Sequence, residues 1–181
     1  MLVTCDTSWS RRSPFWRCPF RLGPRTTSSS AASGNGKRLF VQLQDVSFSE
    51  EVPVPDYLRD PAFGGGVARK YEYEGDDESK AVFDGWVARR WDPAVRDRFA
   101  ALLQALGKTV DGRIEGLNLA ETSIGFGESG KLHPAGFSYE RYVEATKATM
   151  TAARNAFPRS HVIWGTEEPY YSREVLPHIR R

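Results

Sequence analysis

The residues best equipped for chemistry are carboxylates that stand where apolar runs end. Asp45 follows Leu39-Phe40-Val41-Gln42-Leu43-Gln44, Glu121 follows Leu117-Asn118-Leu119-Ala120, and Glu167 with Glu168 come just after His161-Val162-Ile163-Trp164-Gly165. A carboxyl at the mouth of an apolar site has its charged form disfavoured, so its pKa rises and it can pass a proton to a leaving oxygen near neutral pH. Glu121 is the foremost candidate, because a short apolar strand delivers it directly to its end; the alternative is that it caps the next turn or pairs with an arginine. A second motif competes for attention. Gly125-Phe126-Gly127-Glu128-Ser129-Gly130-Lys131 has the G-x-x-x-x-G-K spacing of a loop that cradles phosphates. Leu132 stands where such a loop needs a Ser or Thr for Mg²⁺, and Pro134 and Gly136 delay the next helix to about Ser138. These glycines therefore read as a strand-to-helix connection, with a P-loop-like nucleotide-binding protein as the lesser alternative.

Metal chemistry has little support. His133, His161 and His178 are lone histidines, and the acidic run Glu72, Glu74, Asp76, Asp77 and Glu78 lacks the spaced ligand order and glycine turn of a calcium loop. Cys5 and Cys18 both lie near the N-terminus, which leaves residues 37–181 without a thiol for a cluster or a nucleophile. No metal or other cofactor is expected.

Three strands, two helices and one long connection would have to position these carboxylates. Leu39, Val41 and Leu43 alternate with Phe40, Gln42 and Gln44, a strand pattern ending near Asp45. Residues 46–91 then read as a long connection with Pro53, Pro55, Pro61 and Gly64-Gly65-Gly66. Asp92-Pro93 opens a helix as N-cap and first helical residue; Val95, Phe99, Leu102, Leu103 and Leu106 share its buried face, and Gly107 marks its expected end. Ile114–Ala120 reads as a second strand. Ser138 caps a second helix carrying Tyr142, Val143, Thr146, Met150, Ala153 and Phe157 on one face, Pro158 stops it, and His161–Gly165 is a third strand. Strands alternating with helices predict right-handed crossovers and a parallel sheet, whose chemistry gathers beyond the C-terminal strand ends.

Composition sets the outer bounds. A chain of 181 residues, 40% hydrophobic and 12% aromatic, can bury one core. Its net charge of +2 is uneven: residues 1–36 hold five arginines against one aspartate, a local +4 that leaves residues 37–181 at −2. No basic stripe remains there, so nucleic acid is not an expected partner. No apolar run reaches the roughly 18 residues of a membrane span, and none near the N-terminus has the uninterrupted core of a secretory signal; the compartment stays open. Residues 1–36 are expected to be a disordered or non-native extension, and residues 37–181 the folded domain.

Within that domain, Arg90-Trp91-Asp92-Pro93-Ala94-Val95, the helix end Ala105-Leu106-Gly107, the turn Asp111-Gly112-Arg113 and the segment Ile114–Thr122 resemble the third helix and fourth strand of clan A glycoside hydrolases, over roughly residues 38–170. The resemblance implies an α/β fold, a partial (β/α)8 TIM barrel with parallel strands alternating with helices. A complete barrel has about 250 residues. By the same resemblance Glu121 would be the general acid/base acting on an O-glycosidic bond of a carbohydrate; Ala120 stands where the clan has the Asn of an Asn-Glu pair. The clan's nucleophile lies at the end of the seventh strand, so the chain as given is expected to be inactive alone, or a carbohydrate-binding relic. Trp86 and Trp91 would offer flat faces to a sugar ring, with Asn118 and Glu167 as further substrate contacts; Trp91 could instead staple the helix start. Unpaired sheet edges would favour self-association.

Overall fold

A computed structural model of the chain describes residues 2–4, 38–75, 77–122 and 124–164. Its strands are β1 (Leu2–Thr4), β2 (Phe40–Leu43), β3 (Val46–Ser47), β4 (Val67–Glu72), β5 (Val82–Ala88), β6 (Gly116–Leu119) and β7 (His161–Trp164); its long helices are α1 (Pro93–Val110) and α2 (Tyr139–Ala156). They assemble into two sheets of different kinds. One is parallel, in the order β1-β2-β6-β7, and the other is antiparallel, in the order β3-β5-β4.

The parallel sheet rests on the helices through one face. Val41, Leu43, Leu117 and Leu119 point into a core shared with Leu103 of α1, Ala153 of α2 and Phe157. Alternate residues must emerge on the opposite face, where Gln42, Asn118 and Ile163 stand side by side in register and Ile163 is 43% exposed. The helix starts follow local chemistry. The Asp92 carboxylate accepts from the Ala94 N–H at 2.9 Å with Pro93 behind it, and the Ser138 hydroxyl accepts from the Arg141 N–H at 3.3 Å.

The end of α1 departs from the sequence expectation. The helix runs three residues past Gly107, to Val110. A Cβ at Gly107 would lie 2.1 Å from the Ala156 carbonyl oxygen, so this glycine serves the close crossing of α1 and α2 rather than a stop. The turn that follows is secured instead by Asp111, whose carboxylate accepts from the main-chain N–H groups of Arg159 and Ser160 and from the Arg159 side chain.

The partial (β/α)8 barrel is also corrected. Residues 46–91 are not a loop between a strand and a helix but contain the whole antiparallel sheet, so the described residues form two small sheets with two helices, not an alternating β/α barrel. The pattern hid it. Lys70, a residue that reads as exposed, points inward at 3% exposure, where it pairs with Asp84 and sits 3.8 Å above the Phe48 ring. Gly85, which reads as a breaker, lets β3 approach: with φ 129, it would place a Cβ 2.1 Å from the Ser47 carbonyl oxygen. A local hairpin needs little loop closure, so β4 and β5 pair with each other rather than leaving the segment extended.

The antiparallel sheet packs against α2 and against the segment that follows β6. Val46, Ala68 and Val87 of the antiparallel sheet pack with Trp91, Ala120, Ile124, Phe126, Tyr142 and Val143, which places that sheet beside the C-terminal edge of the parallel one. Val54, Leu58, Ala88 and Val95 form a smaller cluster beneath the proline-rich segment. Among the described residues no helix is long and apolar enough to cross a membrane.

Candidate functional site at the C-terminal edge of the parallel sheet

Asp45 and Glu121 each lie two residues beyond their strands, and Leu43 pairs with Leu119, so the two carboxylates emerge from neighbouring strands at one edge. What joins this edge is Arg90, two residues past β5 and only 7% exposed. Its Nε donates to Asp45 Oδ2 at 2.9 Å and its Nη2 to Oδ1 at 2.5 Å, a two-point pair that suits the planar guanidinium. Its Nη1 donates to the main-chain carbonyl of Glu121 at 2.7 Å and to the Tyr142 hydroxyl at 2.9 Å. Tyr142, fully buried on α2, donates in turn to the Thr122 carbonyl at 2.9 Å.

The electrostatics follow from burial and partners. Burial opposes the Arg90 charge, yet Asp45 and the Tyr142 hydroxyl beside it hold the guanidinium charged, above its ordinary range. Burial pushes the Tyr142 phenol up, with the charges of Asp45 and Glu121 adding to it against the pull of Arg90. Tyr142 thus stays a neutral donor. Asp45 is committed to Arg90, so the pair acts as a brace for the main chain at residues 121–122, beside the half-buried Glu121 side chain.

No known protein family, curated protein or solved structure matches this chain. Function must therefore be read from the residues themselves.

The other residues singled out from sequence are dispersed. Trp91 is 5% exposed, with Phe126 and Phe137 meeting it edge-on at ring separations of 5.6 Å and 5.1 Å, so it anchors the start of α1 in the core and offers no open face. Trp86 lies in β5, half-buried, with Phe83 edge-on at 5.4 Å. Asn118 sits mid-strand in β6 on the face away from the helices, and its Oδ1 has no hydrogen-bond partner among the described residues. Glu167, like Glu168 and His178, lies outside the described residues. Among the described residues no group of three or more His, Cys, Asp and Glu is placed to hold a metal ion.

Sequence reasoning missed Arg90 and Tyr142 as members of the site. One signal was present, since a tyrosine on a helix's core face must find a partner for its hydroxyl; the burial of Arg90 beside Ala88 and Trp91 was not legible in a segment that reads as a connection.

Proposed function

We propose that this protein acts on carbohydrate, with Glu121 passing a proton to the departing oxygen of a glycosidic bond. The observation that carries the reading is the placement of Glu121 two residues beyond β6, an inner strand of the parallel sheet, its main chain braced by buried Arg90 to the neighbouring strand and to α2. A proton donor must be held close to its working position, and a braced main chain fixes the point from which the Glu121 side chain extends.

Hydrolysis of a glycoside ordinarily needs two carboxyls facing one bond. Asp45 is withdrawn from that role by Arg90, which favours a second reading, sugar binding without turnover. Aryl glycosides with leaving groups of graded basicity separate the two. Hydrolysis by the unaltered chain, with a loss in Glu121→Gln of about 10²-fold or more on basic leaving groups and much less on activated ones, supports the proton donor. Sugar binding with no hydrolysis supports the second reading. Equal rates for Glu121→Gln and its parent on basic leaving groups, or neither binding nor hydrolysis, would sink the proposal.

A further inference from the structure

The glycine-rich loop after Glu121 holds an anion, and the anion is part of the chain. Glu78, in a short turn between β4 and β5, places its carboxylate in the loop that carries the G-x-x-x-x-G-K spacing. Its Oε1 accepts from the main-chain N–H groups of Glu128 at 2.8 Å and Ser129 at 2.9 Å, and its Oε2 accepts from the Ser129 hydroxyl. Ser129 Oγ also accepts from the Lys131 N–H at 3.3 Å, which orients the hydroxyl toward the carboxylate. Successive N–H groups converging on one acceptor make a nest, the arrangement with which backbones hold oxyanions.

Gly127 is shaped for this occupant. With φ 66, a Cβ there would fall 2.3 Å from Glu78 Cδ, so only glycine leaves room for the carboxylate. The loop is anchored on both sides, the Gly127 carbonyl accepting from Tyr139 at 2.6 Å with His133 Nε2 at 3.1 Å, and the Gly125 carbonyl accepting from the Tyr71 N–H at 3.2 Å. The nest is thus held open by contacts that do not involve Glu78. Burial raises the Glu78 pKa, but the donors of Ser129 and Glu128 and the Lys131 charge outweigh it and hold the carboxyl below the usual carboxylate range.

We propose that residues 127–131 are an oxyanion-binding site, filled in this structure by the Glu78 carboxylate and open to a free oxyanion, inorganic phosphate or a small carboxylate, when Glu78 is displaced. The ligand class is a small oxyanion rather than a nucleotide. Leu132 follows the lysine where a Mg²⁺-holding hydroxyl would stand, and α2 does not begin until Tyr139, so the loop does not run directly into a helix as a nucleotide's phosphate loop does. Glu78 acts as a built-in competitor: a ligand that takes its place frees the turn between β4 and β5 from the loop that follows Glu121.

Amide spectra of the ¹⁵N-labelled full chain test this, titrated with inorganic phosphate and separately with acetate at ionic strength held constant by sodium chloride. In Glu78→Ala, the amides of residues 127–131 should shift saturably, with an apparent affinity at least about tenfold above that of the unaltered chain, the scale expected when one charge-assisted competitor is removed. Adding Ser129→Ala should weaken that binding by removing a donor. Whether phosphate or acetate binds tighter names the preferred ligand, and either result supports the site. Should Glu78→Ala lose its dispersed spectrum, Glu78→Gln carries the test, keeping the shape without the charge, with a rise in affinity again expected. Unsaturable or scattered shifts, shifts reproduced by sodium chloride alone, or a Glu78 variant that binds no tighter than its parent would overturn the proposal.

Discussion

Arg90 is the residue on which the candidate site turns. A buried guanidinium with Asp45, a main-chain carbonyl and a phenol around it has four of its five N–H donors engaged. Taking two charges out of water is expensive, so such a pair adds less to stability than its short contacts suggest, but losing one partner strands the other. Arg90→Met is therefore expected to cost about 3–5 kcal/mol by leaving the Asp45 charge buried and unmatched. Arg90→Lys should fall between the two, because an ammonium keeps the charge but lacks the fork that reaches both carboxylate oxygens. Urea unfolding of the three proteins measures this; a cost below about 1 kcal/mol for Arg90→Met, the range of an exposed pair, would mean that water reaches the site.

At the scale of elements, the join between α1 and β7 is set by Asp111. Burial works to raise its pKa, but Arg159 and Ser160, through side chains and main-chain N–H groups, hold it below the ordinary carboxylate value. The sign follows from that direction. A carboxyl whose folded pKa lies below its unfolded one stabilises the fold fully above the unfolded value, about 3.9, and loses that contribution as pH falls through the folded value. The unaltered chain should therefore be more stable than Asp111→Asn at neutral pH, and the gap should close as pH falls below about 4. Thermal melts of both between pH 7 and pH 2 would show it; a gap that stays constant with pH would remove Asp111's ionisation from the account. The same elements show why helix starts were legible in the sequence and one end was not. Asp92 and Ser138 act on N–H groups two or three residues away, a local matter. Gly107 answers to Ala156, forty-nine residues distant, and no local rule distinguishes a glycine that ends a helix from one that lets another helix come close.

For the whole molecule, the packing of the antiparallel sheet on α2 decides whether two sheets make one cooperative body. Phe126 is fully buried where the antiparallel sheet, the start of α1 and α2 meet, with Trp91 and Phe137 edge-on to it. Phe126→Ala should cost about 3–5 kcal/mol, much of the stability a small domain has to lose. Because α2 carries residues of this core and of the one beneath the parallel sheet, far-UV circular dichroism and tryptophan fluorescence should move to lower denaturant together. Separate midpoints for the two signals would mean that the sheets unfold independently.

The sequence by itself determined the features that depend on neighbours: the strand leading to Glu121, the caps at Asp92 and Ser138, the helix faces that carry Leu103 and Ala153 into the core, and the lack of a thiol beyond Cys18. Only the tertiary structure decided that residues 46–91 form an antiparallel sheet, that Trp91 is enclosed rather than open, that Arg90 joins Asp45 to Glu121 across forty-five and thirty-one positions, and that Glu78 fills the glycine loop. The reason is common to all four. Capping and periodicity are settled by hydrogen bonds and side-chain spacing within a few residues, whereas strand pairing, enclosure and buried charge are settled by which distant segment supplies the partner, and the residue types of Lys70, Arg90 and Glu78 say only that a partner is needed.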